Sequence, residues 1–307
     1  MVTRKIIRVH PAEGGVRGLL SKRNTGSCAP PPQSVLNGAS LHDGYVSSLL
    51  ASAGPALRQA RAASPLHVSD LLNKCARQIA LVHRLNMPQP FSKIWDGMGV
   101  TYAIGEAVHE YIVERMRGTH PDKVWAEWTC ACGATKYVGL YVQASRRKAC
   151  KHCLTKVNRH KEIPFVNKDG TLQGSPDLLL LLEPEQAFYI VEIKSIAAAS
   201  WKDLTRCIPL HAVQVAMYWH ILKELGIRVF DKVCILYVNK EFSFKSPFKE
   251  FVLAPEEVDL SLYWEDFNAI MSSMKGGDLP PRLVCPTVDA PSAKECPVCA
   301  TCFGISP

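Results

Sequence analysis

The chain has 307 residues, 47% hydrophobic and 21% charged, enough to bury one large core or two small ones. Its 36 basic and 28 acidic residues leave a net charge of +8, which suits a polyanionic partner without requiring one. The central apolar run Leu178–Leu182 falls far short of the ~18 residues of a membrane span; an integral membrane protein is excluded, and no segment has the pattern of a secretory signal.

Residues 1–64 are rich in Gly, Ser, Ala, Arg and Pro and carry eight basic residues against Glu13 and Asp43. They read as a flexible basic arm with a short helix near Tyr45 to Leu50, either a nucleic-acid tether or a transit peptide. Because the arm holds most of the excess charge, a basic groove in the remainder has to be a local arrangement.

Order is predicted from Ser69, an N-cap for a helix through Leu72, Cys75, Ile79 and Val82. A second helix runs from about Tyr102 to Met116, with Gly118 placed to stop it. Val124 to Thr129 reads as a strand. Thr171 to Leu182 and Phe188 to Ile196 read as two strands joined at Glu183-Pro184-Glu185-Gln186. A helix from about His211 to Leu225 ends at Gly226, a strand covers Lys232 to Val238, and a helix covers Glu256 to Met274. Strands interleaved with helices indicate an α/β core.

Two charged patterns carry chemistry. Gly174-Ser175-Pro176-Asp177 precedes Val191-Glu192-Ile193-Lys194. On a strand Glu192 and Lys194, two apart, share a face, and charges in so apolar a strand are costly unless paired or metal-bound. With Asp177 on the adjacent strand they make a site for a hard divalent cation and an attacking water; the plain alternative is an internal Glu–Lys ion pair with Asp177 as a turn residue. On the helices, His109 shares a face with Gly105 and Val113, pointing towards packed structure, and Gln214 and Tyr218 share another.

Twelve cysteines is a high number for a chain of this kind. Cys130, Cys132, Cys150 and Cys153 form two close pairs, which fit a tetrahedral zinc ribbon whose role would be to fold a short insertion. The C-x-C spacing departs from the usual C-x-x-C, and His152 is able to replace one thiolate. Arg146, Arg147, Lys148, Lys151, Lys156 and Arg159 make the insertion either a phosphate-contacting flap or a solvated charged face. Cys75, Cys296, Cys299 and Cys302 form a further set, while Cys28, Cys207, Cys234 and Cys285 are scattered. Close pairs favour metal over disulfides and hence a reducing compartment; the expected location is the cytoplasm, that of the host if the source is viral.

The series His109, Asp177, Glu192-x-Lys194, Gln214-x-x-x-Tyr218 resembles the PD-(D/E)XK nuclease superfamily, and within it the RecB-like and CRISPR-associated iron–sulfur exonucleases and their phage relatives. The resemblance covers about residue 69 onward. It implies a restriction-endonuclease-like mixed sheet flanked by helices over 65–307, with a cysteine-rich segment at 285–307; the zinc-ribbon-like insertion read from the cysteine spacing falls at 128–160. The resemblance also implies Mg²⁺ or Mn²⁺ held by Asp177, Glu192, His109 and the carbonyl of Ile193. Lys194 would position water and stabilise charge, and Gln214 and Tyr218 would orient the lysine and the DNA. Cys75, Cys296, Cys299 and Cys302 would hold a [4Fe–4S] cluster, with a second zinc as rival and Cys285 able to stand in for Cys75. Carboxylates suit Mg²⁺ and an imidazole tilts the choice towards Mn²⁺. No Gly-x-x-x-x-Gly-Lys-Ser/Thr phosphate loop is present, so no built-in motor is expected.

The expected activity is therefore metal-dependent exonucleolytic hydrolysis of DNA from single-stranded or resected ends, in recombination, repair or phage DNA metabolism. A recombination or replication protein is the natural protein partner, and no membrane is involved. The alternatives are a structure-specific or CRISPR-adaptation endonuclease, and a catalytically idle nuclease fold acting as a DNA-binding or assembly module. Oligomeric state is not readable from these patterns.

Overall fold

A computed structural model of the chain describes residues 56–57, 65–87, 93–94, 96–241 and 247–305, all within one unit spanning Gly54–Pro307. The basic arm over 1–64, the short helix near Tyr45 and Cys28 lie outside the described residues, apart from a two-residue strand at Ala56–Leu57.

The elements run in the order β1 (Leu66–His67), α1 (Val68–Asn73), α2 (Ala76–Arg84), α3 (Asp96–Thr119), β2 (Val124–Thr129), β3 (Lys136–Leu140), α4 (Tyr141–Ser145), β4 (Arg159–Lys161), β5 (Phe165–Val166), β6 (Leu172–Gly174), β7 (Leu178–Leu182), β8 (Ala187–Ile196), α5 (Ala198–Asp203), α6 (Pro209–Glu224), β9 (Val233–Asn239), β10 (Phe248–Leu253), α7 (Ser261–Met274), α8 (Pro291–Lys294) and α9 (Cys299–Phe303). The main sheet has the strand order β10-β9-β8-β7-β2-β3, and β4 pairs with β2 beside that path. Among the described strands of this sheet only β8 and β9 pair in parallel, and α6 lies in the connection between them, as a parallel crossover requires. A small second sheet has the order β1-β6-β5. The chain is thus a mixed α/β structure with a mixed sheet flanked by helices.

Side-chain alternation explains the layering. In β2, Val124, Ala126 and Trp128 are buried while Trp125, Glu127 and Thr129 are half-buried, the period-2 pattern of a strand with one face on a core. In β8, Ile190 to Ile193 are buried without interruption, because neighbours cover both faces of a central strand. Val191 and Ile193 face a core with Ile112 and Val113 of α3. Ile190 and Ile196 face a second core with Ala212, Val215 and Trp219 of α6. Helix α6 begins on Pro209, which suits a first helical position. It is buried nearly all round, because Val213, Met217 and Ile221 also pack against Leu66, Leu172 and Ile270 of the small sheet and α7.

Several predicted elements are corrected. The single helix expected through Cys75 is two helices, broken at Lys74–Cys75, with His67 and not Ser69 as the first N-cap and Cys75 as the second. Gly118 does not stop α3, which starts earlier and continues to Thr119. The long strand from Thr171 to Leu182 is interrupted at Ser175-Pro176-Asp177, where proline cannot supply a ladder donor. A short 3₁₀ turn at Pro255–Glu257 is separate from α7.

Candidate active site and cysteine centres

The interruption before β7 creates the site. The β7–β8 ladder ends with Leu178 opposite Val191, so Asp177 falls next to Glu192. Beyond that point β8 pairs with β9, from Val191 to Ile196, and among the described residues its other edge has no strand partner, a notch in the sheet. Asp177 lies in this notch, where its Oδ2 accepts a 2.6 Å hydrogen bond from the N–H of Ile193. Its Oδ1 is 3.4 Å from Nδ1 of His109. The imidazole reaches it because α3 comes close to β8 at Gly105, where an added Cβ would lie 3.3 Å from Ser195 Oγ.

Glu192 is 1% exposed. Its Oε1 accepts a 2.7 Å bond from Lys194 Nζ, and its Oε2 has no hydrogen-bond partner. Burial, reinforced by the like charge of Asp177 and resisted by Lys194, pushes its pKa up to about 8. Burial opposes charge on Lys194 and on His109, yet the surrounding carboxylates outweigh it and raise both. On α6, Gln214 Nε2 donates to Tyr218 Oη at 2.6 Å. Burial, then the charge of Glu192, raises the Tyr218 phenol well above its usual range. The ring lies over Gly174, where a Cβ would fall 2.7 Å from Cε1, so only glycine fits there.

All the residues predicted for this site are thus brought to one place, and Ile193 is tied to Asp177 through its N–H. Gln214 and Tyr218 are joined to each other, and among the described residues no hydrogen bond links either to Lys194. Two further residues escaped the sequence reading. Glu162, which follows β4, offers a carboxylate oxygen within 4.8 Å of ligand atoms of both His109 and Asp177. Glu192 lies outside that grouping. His211 bonds the Tyr237 hydroxyl at 2.8 Å; burial and the charge of Lys194 lower its pKa to about 4.

At the end of β2 the chain forms two knuckles. Cys130 N–H donates to Thr135 O at 3.1 Å and Cys150 N–H to Thr155 O at 2.9 Å, with Gly133 at φ +72° in the first turn. Cys130, Cys132, Cys150 and Cys153 are brought together with all four sulfurs within 4.8 Å of one another, close enough to hold one metal ion. Zn–S bonds of ~2.3 Å in a tetrahedron need such spacing. Hydrogen bonds from Thr155 lower the Cys153 thiol and one with Thr135 lowers Cys150, whereas the neighbouring sulfurs of Cys130, Cys153 and Cys150 push Cys132 up to about 12. Arg146, Arg147, Lys148 and Lys151 are exposed beside it. The last three, with His152, line a concavity of about 450 Å³, and Arg147 stacks on the Tyr137 ring at 4.1 Å.

The remaining cysteines converge elsewhere. Cys75, Cys296, Cys299 and Cys302 line one cavity of about 170 Å³, together with Cys285. Cys285 and Cys75 thus both face the cavity that Cys296, Cys299 and Cys302 line. No three of these five thiols fall within the 4.8 Å spacing of the first centre. Cys207 is half-buried and Cys234 buried, both in the core around the sheet.

Among the described residues no helix is long and apolar enough to cross a membrane. Comparisons with protein-family models and with curated proteins both return no match.

Proposed function

We propose that the chain is a divalent-cation-dependent DNA exonuclease of the PD-(D/E)XK type, with the restriction-endonuclease-like version of its mixed α/β fold. The observation that carries this reading is Glu192: a carboxylate that is buried, has one oxygen unpartnered, and sits beside a second carboxylate and a lysine. A structural ion pair does not need Asp177 or His109 next to it, and gains nothing from an orphaned oxygen.

The donors fit a hard cation. Asp177, Glu192 and Glu162 offer oxygen and His109 offers nitrogen, a set suited to Mg²⁺ or Mn²⁺. Such an ion, when bound, polarises a phosphoryl oxygen and lowers the pKa of its water. The protein's own groups supply the rest. Ile193 N–H and His109 fix the orientation of Asp177. Lys194, held by Glu192, places positive charge where phosphoryl transfer builds negative charge. The Gln214–Tyr218 pair, seated on Gly174, forms the wall of the notch on the α6 side.

The cysteine centres are read as supports. Zinc fits Cys130, Cys132, Cys150 and Cys153, with the adjacent arginine and lysines tracking a phosphate backbone. The wider spacing around the second cavity suits an iron–sulfur cluster, which spreads its thiolates farther apart than one zinc ion does; a second zinc is the rival. The deciding assay is digestion of end-labelled linear and closed circular DNA with Mn²⁺. Shortening of linear DNA alone is expected. Nicked circles would move the assignment to an endonuclease, and binding without cleavage to a DNA-binding module.

A further inference from the structure

Glu162 reaches the notch by way of the cysteine knuckles. From Cys153 the chain passes Thr155, whose Oγ1 accepts the N–H of Ala131 at 3.0 Å and bonds Cys153 Sγ at 3.0 Å. Asn158 N–H then donates to Thr129 O at 3.1 Å, and β4 follows, with Arg159, His160 and Lys161 opposite Thr129, Trp128 and Glu127. Glu162 is the next residue. A strand of three residues is too short to define its own register, and a slip by one would turn Glu162 to the opposite face. The near end of β4 is held by the closure of the four thiols around the knuckles, by the fully buried Val157 and by Arg117, which donates to Asn158 O; along the strand His160 packs on Trp128 and Lys161 lies 3.6 Å from Glu127. The far end delivers a carboxylate whose charge is felt by Glu192, Lys194 and Tyr218. The fully buried, unpartnered Oε2 of Glu192 independently indicates that this cluster is built for a cation.

We propose that metal held by Cys130, Cys132, Cys150 and Cys153 controls the affinity of the notch for its divalent cation, by fixing the register of β4 and hence the position of Glu162. The proposal rests on the cation-site reading above. It makes the insertion a positioning device for the reaction centre in addition to a surface for nucleic acid.

The test uses the full chain and reads cation binding without turnover. Mn²⁺ affinity is measured by electron paramagnetic resonance of the free ion, and zinc content by elemental analysis. Glu162→Gln is expected to keep its zinc and weaken Mn²⁺ about tenfold, within the range for losing a supporting group at a metal site. Cys132→Ser is expected to lose zinc and weaken Mn²⁺ by a similar factor, and the double variant to be no weaker than either single one, because both act through one residue. Gly133→Ala, strained at its positive φ, is a milder route to the same zinc loss. It decides the question if Cys132→Ser loses its near-ultraviolet circular dichroism. Unchanged Mn²⁺ affinity in a folded, zinc-free variant, or additive losses in the double variant, would overturn the coupling. Asp177→Asn separates the two levels: loss of Mn²⁺ with zinc retained is expected, whereas wild-type Mn²⁺ affinity would remove the cation site itself and the coupling with it.

Discussion

Replacing Glu192 by glutamine distinguishes a cation site from an ion pair through stability alone. In the metal-free protein the carboxyl holds its proton up to about 8, against 4.5 for an ordinary glutamate. The unfolded chain releases that proton at the lower pH. Stability is therefore lost as pH rises from about 4.5 to about 8, and at 1.36 kcal/mol per pKa unit the ceiling on that loss is about 5 kcal/mol. Relaxation and water entry reduce such burial penalties to a few kcal/mol. Glutamine carries no charge, so Glu192→Gln escapes the loss. Without metal it should match wild type near pH 5 and exceed it by about 2 kcal/mol at pH 8.5, or roughly 4–8 °C in Tm. Adding Mn²⁺ at a hundred times its Kd should return about 2.7 kcal/mol to wild type and nothing to the variant. Differential scanning fluorimetry at several pH values, with EDTA or MnCl₂, reads both effects. If the pair with Lys194 were purely structural, breaking it would cost about 3–5 kcal/mol at every neutral pH. That loss, with equal Mn²⁺ stabilisation of both proteins, would refute the reasoning.

Lys194→Ala should abolish cleavage while leaving DNA affinity in a gel-shift assay within about twofold; retained turnover would argue strongly against the proposed centre. Gly174→Ala should push the Tyr218 ring off its seat and cost about 1–3 kcal/mol, as overpacking does, measured by urea denaturation. Joint replacement of Arg147, Lys148 and Lys151 by alanine should flatten the salt dependence of single-strand binding by about 0.7 in slope for each phosphate no longer neutralised. Protein purified without oxygen should be brown from iron bound around Cys75 and Cys296; a colourless preparation containing only zinc would remove the cluster assignment and leave the catalytic reading untouched.

The parts of this arrangement that were legible in the sequence are those written in local periodicity. Glu192 and Lys194 two apart on an apolar strand, and Gln214 and Tyr218 four apart on a helix, announce their shared faces without any knowledge of the fold. The strand Val124–Thr129 alternates cleanly and is found where predicted. Glu162 was not legible, since an acidic residue after Arg159-His160-Lys161 reads as part of a solvated surface, and its place depends on β4 pairing with β2 across the cysteine knuckles. The edge strand Phe248–Leu253 escaped for another reason. It alternates exposed and half-buried residues with none fully buried, so its hydrophobic signal is weak. The break at Cys75 lies where the chain meets Cys296 and its neighbours, a long-range juxtaposition that no short window of sequence carries.

The two cysteine centres also differ in how much chain each must gather. One closes from Cys130 to Cys153, the other from Cys75 to Cys302, about ten times as many residues, which adds about 2 kcal/mol of closure entropy. Domains are synthesised from the amino-terminal side, so the first can take up its ion while β8, α6 and β9 are still to be translated. The second stays open until nearly everything between its ends has been made. If the second set holds the iron–sulfur cluster proposed above, a shortage of iron or sulfide would strike the last stage of maturation, in molecules whose knuckles are already filled.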